Sequence, residues 1–390
     1  MPIQLIRANA LDLPLADGSV DLVVTSPPYF GLRSYKDGGE HYAGQIGDEA
    51  TPTEFVDALL AATREMARVL KPSGSIWVNL GDKYGRSQPT NVPQTKYRGK
   101  AQPSAVPAYG TPKSLIGVPW RYAIRCIDDL GLILRAEVIW SKKNPLPESV
   151  TDRVRRSHET WFHFTKHPRY YSAVDAIRER HLTATPGTRS TGGTGYEAHM
   201  TGRMNGSAHL LGKLPGSVWS VPTEPLIVPD HLGVDHYAAF PMELPRRIIT
   251  GWSPSAVCTA CGEGRAPVTH VDLGQKERIT PRYGGGTHGN TGSTLGSRGT
   301  SARIVSHKCA CPDTSAPSSP GVVLDPFGGT GTTALVADAL GRHGISVDMS
   351  ADYLRIAQWR TTDPRQRAKA AQRDYTPPPK QLPGQVAFTF

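Results

Sequence analysis

Val322-Val323-Leu324-Asp325-Pro326-Phe327-Gly328-Gly329-Thr330-Gly331-Thr332-Thr333 is the stretch that decides the fold. Its first four residues read as a buried strand. The glycines that follow let the backbone turn tightly, and a helical pattern then runs to about Leu340, where Gly341 stops it. Ile345-Ser346-Val347-Asp348 reads as the next strand, so the segment forms a compact strand-helix-strand unit of a parallel sheet. In such a unit a ligand lies beyond the carboxyl ends of the strands, at the amino terminus of the helix. Asp348 follows Asp325 by 23 residues and stands where an acidic group meets ribose hydroxyls, which predicts an adenosine-bearing cofactor. A phosphate-binding lysine is missing, which argues against an ATPase. Gly329-x-Gly331-x-x-Ala334 also fits a dinucleotide, as in a nicotinamide dehydrogenase. Asp325 favours S-adenosylmethionine instead, because an acid beside the turn repels a pyrophosphate and pairs with an ammonium.

A second strand candidate, Val20 to Val24, runs into Thr25-Ser26-Pro27-Pro28-Tyr29. Proline lacks the N–H and fixes φ, so the chain must leave the sheet there. The rigid loop presents carbonyls, a hydroxyl and an aromatic ring beyond a strand's carboxyl end. That set suits an exocyclic base amine: the Ser26 hydroxyl and the Pro27 carbonyl can accept its two N–H bonds and localise its lone pair, while Tyr29 stacks on the base. A Pro-Pro turn with a surface tyrosine is the alternative.

Around these stretches the pattern stays α/β. Ile3 to Ile6 reads as a strand, Thr53 to Leu70 as a helix with one buried face (Val56, Leu59, Leu60, Thr63, Met66), and Ser75 to Leu80 as a strand after a Lys71–Gly74 stop. A polar stretch from about Lys83 to Lys113 reads as a long loop. Trp120, Ala123, Ile124, Ile127 and Leu130 form a second helical stripe, flanked by Cys126 as a small core residue. Leu132 to Trp140 is the next strand. Lys142 and Lys143, then Arg153, Arg155 and Arg156, interleave with aromatics and predict a nucleic-acid groove; a solvated basic turn before an edge strand is the alternative.

The net charge of +10 favours a polyanionic partner, and the 40 glycines and 34 prolines predict long loops. The first residues lack the layout of a signal peptide, and no apolar run reaches the roughly 20 residues of a membrane span, so a cytoplasmic protein without a membrane partner is expected. Four of the five cysteines fall into two tight pairs, Cys258-Thr-Ala-Cys261 and Cys309-Ala-Cys311. Four thiolates close a tetrahedral site, so structural zinc is expected; reduced free thiols are the alternative.

Taken together, these motifs resemble the DNA amino-methyltransferases in the permuted order called the beta class. Thr25 to Tyr29 is similar to the family's catalytic Ser/Asp-Pro-Pro-Tyr motif, and Asp325 to Gly331 to its Phe-x-Gly-x-Gly cofactor motif. His236-Tyr-Ala-Ala-Phe240-Pro241 is similar to a motif that lies against the cofactor. The resemblance implies a Rossmann-like S-adenosylmethionine-dependent fold with permuted motif order and a small target-recognition region; the cysteine insert occurs in only some members, so the expected zinc rests on the cysteine spacing alone. It implies catalytic roles for Ser26, Pro27, Pro28 and Tyr29. It implies cofactor contacts from Thr25, His236, Phe240, Asp325, Pro326, Phe327, Gly328, Gly329, Thr330, Gly331, Thr332, Asp348 and Met349. Ala8-Asn9-Ala10 stands where the family has Gly-Asp-Ala near the adenine ring, so Asn9 and Ala10 take that place.

The expected organisation is 1–180, the catalytic half; 181–234, target recognition; 235–256 with 312–361, the cofactor half; 257–311, the cysteine insert; and 362–390, a basic, proline-rich disordered tail. The implied reaction is methylation of a flipped base in double-stranded DNA, with Ser-Pro-Pro-Tyr leaning to N4 of cytosine over N6 of adenine. A separate cognate restriction endonuclease and a monomeric or homodimeric state go with it. An RNA methyltransferase and a non-catalytic, zinc-containing DNA-binding regulator are the rival readings.

Overall fold

In the computed structural model the described residues are 3–31, 36–37, 40–41, 44–85, 110–180, 209–234, 239–272, 301–312 and 315–376. Eight strands form the central sheet: β1 (Gln4–Arg7), β2 (Val20–Thr25), β3 (Leu70–Leu80), β4 (Ile133–Lys142), β5 (His158–Thr165), β6 (Val218–Val221), β7 (Val322–Asp325) and β8 (His343–Asp348). Their order is β1-β8-β7-β2-β3-β5-β4-β6. β5 pairs antiparallel with both of its neighbours, and every other pairing in the sheet is parallel. The parallel α/β architecture expected from the sequence is therefore corrected to a mixed sheet. β5 is also an interior strand, not the edge strand considered above. It alternates strictly: Phe162 and Phe164 enter the core on one face of the sheet, and Trp161 enters the core on the other.

Helices cover both faces. α1 (Pro52–Val69) opens on a capping box, in which Thr51 Oγ1 accepts from the Glu54 N–H and Glu54 accepts from the Thr51 N–H. Phe55, Leu59, Leu60 and Met66 of α1 are buried in one core, together with Tyr122 and Cys126 of α2 (Val118–Asp128). On the opposite face α3 (Glu243–Trp252) and α4 (Thr332–Ala339) pack Ile248, Ile249, Leu335 and Val336 against Leu22, Val24 and Trp77. Each such side chain contributes about 1.5–3 kcal/mol by leaving water.

Three expectations are corrected here. β3 begins at Leu70, directly after α1, so Lys71–Gly74 lie within the strand; a Cβ at Gly74 would come 2.6 Å from Leu70, which explains the glycine. On α2 the buried face is Val118, Tyr122, Ala123 and Cys126, while Trp120, Ile124 and Ile127 are exposed. The tail is not disordered from 362. α5 (Ala351–Thr362) is followed at once by α6 (Pro364–Ala370), whose Ala370 is fully buried and whose Arg367 pairs with Asp338. Residues 377–390, most of the 83–113 loop, and 181–208 lie outside the described residues. Within the expected target-recognition region, β6 is the edge strand of the main sheet, and its Trp219 is buried against Trp77. Among the described residues, no helix is long and apolar enough to cross a membrane.

Candidate active site

The carboxyl ends of β7 and β2 lie side by side, and the two quoted stretches open into one cleft of about 720 Å³. One wall holds Asn9, Ala10, Pro326 to Thr330, Thr332, Asp348 and Met349; the other holds Ser26 to Tyr29, Asn79, Glu159 and Phe240. Phe240 meets Trp161 edge-on, with ring centroids 5.7 Å apart. His236 lies outside the described residues.

Thr25, Asp325 and Gly331 do not line this cleft. Asp325 is buried and binds inward: Oδ1 accepts from the Thr25 hydroxyl at 2.6 Å and the Phe327 N–H at 3.1 Å, and Oδ2 accepts from the Thr333 hydroxyl at 2.8 Å. Burial pushes its carboxyl up to about 6 against these stabilising bonds. Asp325 thus ties the two loops together and does not face a ligand's ammonium. Gly331 starts α4 at φ 73°, a left-handed conformation suited to glycine. A Cβ at Gly328 would lie 1.9 Å from Ser346 Oγ, so only glycine fits where the loop crosses β8. Asp348 fixes the turn by accepting the Gly329 N–H at 2.9 Å.

On the other wall the Tyr29 hydroxyl lies 2.7 Å from Asn79 Oδ1 and 2.7 Å from Glu159 Oε2, and Glu159 is ion-paired with Lys142. The Ser26 hydroxyl points to Asn79 Oδ1 at 3.3 Å. Of the five basic residues expected to meet nucleic acid, Lys143 and Arg155 are exposed, each next in sequence to a residue that lines the cleft. The other three have internal partners: Lys142 has Glu159, Arg153 has Glu148 and the ring of Tyr84, and Arg156 lies 3.9 Å from Asp82.

Sequence reasoning missed Asn79, Asp82, Glu159 and Arg360. Asn79 carried a signal, since it is the polar residue in the apolar run Ile76 to Leu80. Asp82 accepts the Gly117 and Val118 N–H groups and so caps α2 from a distance. Arg360 had no local signal. It is buried beneath the glycine loop and donates to Thr330 and Thr332 at 2.8 and 2.5 Å, while burial brings its guanidinium down to about 10.

The ligand atoms of Cys258, Cys261, Cys309 and Cys311 all lie within 4.8 Å of one another. The N–H groups of Cys261 and Ala260 pull the Cys258 thiol down to about 6. Cys126 is the opposite case, a buried thiol pushed up to about 12.

Residues 20–256 and 313–359 match the family model described as DNA methylase, of the N6/N4 type. The type II methyltransferase M.Cfr9I of Citrobacter freundii is 37% identical over 238 residues, covering 60% of this chain and 67% of that protein. M.SmaI of Serratia marcescens is 29% identical over 343 residues, covering 87% and 83%. Among solved structures, the PvuII DNA methyltransferase (cytosine-N4-specific) shares the fold with a TM-score of 0.53 at 17% identity, over 95% of this chain and 92% of that one.

Proposed function

The chain belongs to the N6/N4 DNA methylase family, and from that premise we propose that it methylates N4 of a cytosine, swung out of duplex DNA at a specific site, using S-adenosylmethionine. The observation that carries this reading is the shared cleft, in which the Ser26–Tyr29 loop faces the glycine loop and the two are tied at their roots by Thr25 and Asp325.

The residues fit an adenosyl ligand. With glycine required at 328, the loop offers backbone to the cleft, and Asp348 stands beside it for a ribose. When bound, S-adenosylmethionine supplies a methyl group on a sulfonium that leaves as a neutral thioether. The chain's own part is to prepare the acceptor. Because the Ser26 hydroxyl gives its proton to Asn79, its lone pairs face the target amine, and with the Pro27 carbonyl they accept both N–H bonds. The amine's lone pair is then localised towards the methyl. Pro28 keeps the loop rigid, and Tyr29 stacks on the base. Serine at position 26, where an aspartate would lean to adenine, supports cytosine. Exposed Lys143 and Arg155 meet phosphates at the mouth, and a separate endonuclease cutting the same site completes the biological setting.

The four cysteines bind structural zinc in the same proposal: ligand atoms within 4.8 Å of one another suit a tetrahedral thiolate site with no open position.

Unmethylated plasmid DNA incubated with methyl-labelled S-adenosylmethionine and digested to nucleosides tests the reading. Label in N4-methylcytosine is expected. Label in N6-methyladenine would overturn the base assignment alone, and unlabelled bases would overturn the reaction.

A further inference from the structure

We infer that Glu159 is a positioning residue for methyl transfer, acting through the Tyr29 hydroxyl, with Gly81 supporting the tyrosine ring. The inference rests on the reading of Ser26–Tyr29 as the acceptor loop. It assigns a task to the Tyr29 hydroxyl, which stacking alone does not use.

A phenol carries one proton. At 2.7 Å from both Asn79 Oδ1 and Glu159 Oε2, that proton is shared between two acceptors, and the carboxylate is the stronger of them. The Glu159 side chain is 15% exposed and is ion-paired with Lys142 of β4, whose ammonium also lies 4.7 Å from the Trp140 ring. Lys142 therefore serves the carboxylate and not a phosphate. Asn79 is fixed in turn, being buried and donating to the Thr160 carbonyl at 3.3 Å. The ring is held separately: a Cβ at Gly81 would come 2.7 Å from Tyr29 Cε2 and 3.1 Å from Cδ2. The backbone of residue 81 thus packs directly on the ring, and any larger residue would push it out of place.

These contacts define the plane and tilt of the ring before a base arrives. A stacking platform fixed in advance spares the rotamer entropy of ordering it at the moment of binding. Glu159 lines the cleft beside Tyr29, and in this inference its effect on transfer passes through the Tyr29 hydroxyl.

The test is a double-mutant cycle in single-turnover methylation of plasmid DNA, with S-adenosylmethionine affinity measured by calorimetry. Tyr29→Phe and Glu159→Ala should each slow transfer roughly tenfold or more, as expected for losing a hydrogen bond to a charged group. Cofactor affinity should stay unchanged. The double variant should be no slower than the slower single variant, because both remove one link. Glu159→Gln, which keeps an oxygen for the phenol, should recover most of the rate and guards against misfolding of the alanine variant. Gly81→Ala should reproduce the defect without touching any polar group. Independent, multiplying effects of Tyr29→Phe and Glu159→Ala, or wild-type transfer by either, would overturn the inference while leaving the acceptor loop standing. A wild-type protein that methylates no DNA would overturn the acceptor-loop reading itself, and this inference with it.

Discussion

Thr25 and Asp325, three hundred residues apart in the chain, share a buried hydrogen bond of 2.6 Å between the roots of the two loops that face each other across the cleft. One loop is assigned to the acceptor and the other to the methyl donor. Their relative placement depends on this contact and on the Thr333 hydroxyl, which reaches both Asp325 and the Val24 carbonyl.

Asp325→Ala should destabilise the protein by about 2–4 kcal/mol, since it strands the Thr25 and Thr333 hydroxyls and the Phe327 N–H in the interior. Weaker S-adenosylmethionine binding should accompany it. Urea unfolding and calorimetry measure the two effects, and an unchanged urea midpoint would refute the role given to Asp325.

Two buried groups set opposite pH dependences. Asp325 is pushed up from 3.8 to about 6, so its contribution to stability is full below about 4 and is lost as pH rises through 6. His163, stacked 4.5 Å from Trp77, is brought down from 6.5 to about 3 by burial, so its contribution is present above 6.5 and is lost on acidification towards 3. Between pH 6 and 4 the two slopes oppose each other. Asp325→Asn should therefore make stability fall more steeply on acidification than in wild type, by about 3 kcal/mol over the whole window. His163→Gln should make it fall less. Urea midpoints measured across that range check both signs.

The cysteine cluster predicts one zinc ion per chain by elemental analysis. Chelation or Cys309→Ser should lower the melting temperature, because the ion is bound only by the folded arrangement. Metal-free protein with four freely reactive thiols at these positions would contradict the site.

The basic residues expected to meet DNA divide by partner. Lys143→Ala with Arg155→Ala should weaken DNA binding and reduce the slope of log affinity against log salt by about 2, close to one for each phosphate no longer neutralised. Lys142→Ala should leave that slope unchanged and slow methyl transfer, because its ammonium is bound to Glu159. Equal slope changes from both variants would refute the division.

Much of this was legible in the sequence where a local rule applied. Proline ended β2 at the acceptor loop, glycines marked the turn after β7, and the apolar period marked the buried face of α1. What escaped depends on distant pairing. The reversal of β5 is invisible in an apolar run, because it depends on pairing with the distant β3 as well as with the preceding β4. The exposed stripe on α2 matched a helical period as well as the buried face did, and only packing against α1 decides between them. Asp325 had the right residue type, but its burial against Thr25 and Thr333 could not be read from spacing. Glu159 carried no local signal, and its place beside Tyr29 emerges only when β5 sits between β3 and β4.

The central claim is that the Ser26–Tyr29 loop prepares the amine while the glycine loop holds the methyl donor. Ser26→Ala tests it most directly, by comparing S-adenosylmethionine affinity with the single-turnover rate of methyl transfer to plasmid DNA in the same preparation. Cofactor affinity within about twofold of wild type, with transfer slowed roughly a hundredfold by removal of a transition-state hydrogen bond, is the predicted result. Transfer at the wild-type rate, or a defect confined to cofactor binding, would contradict it.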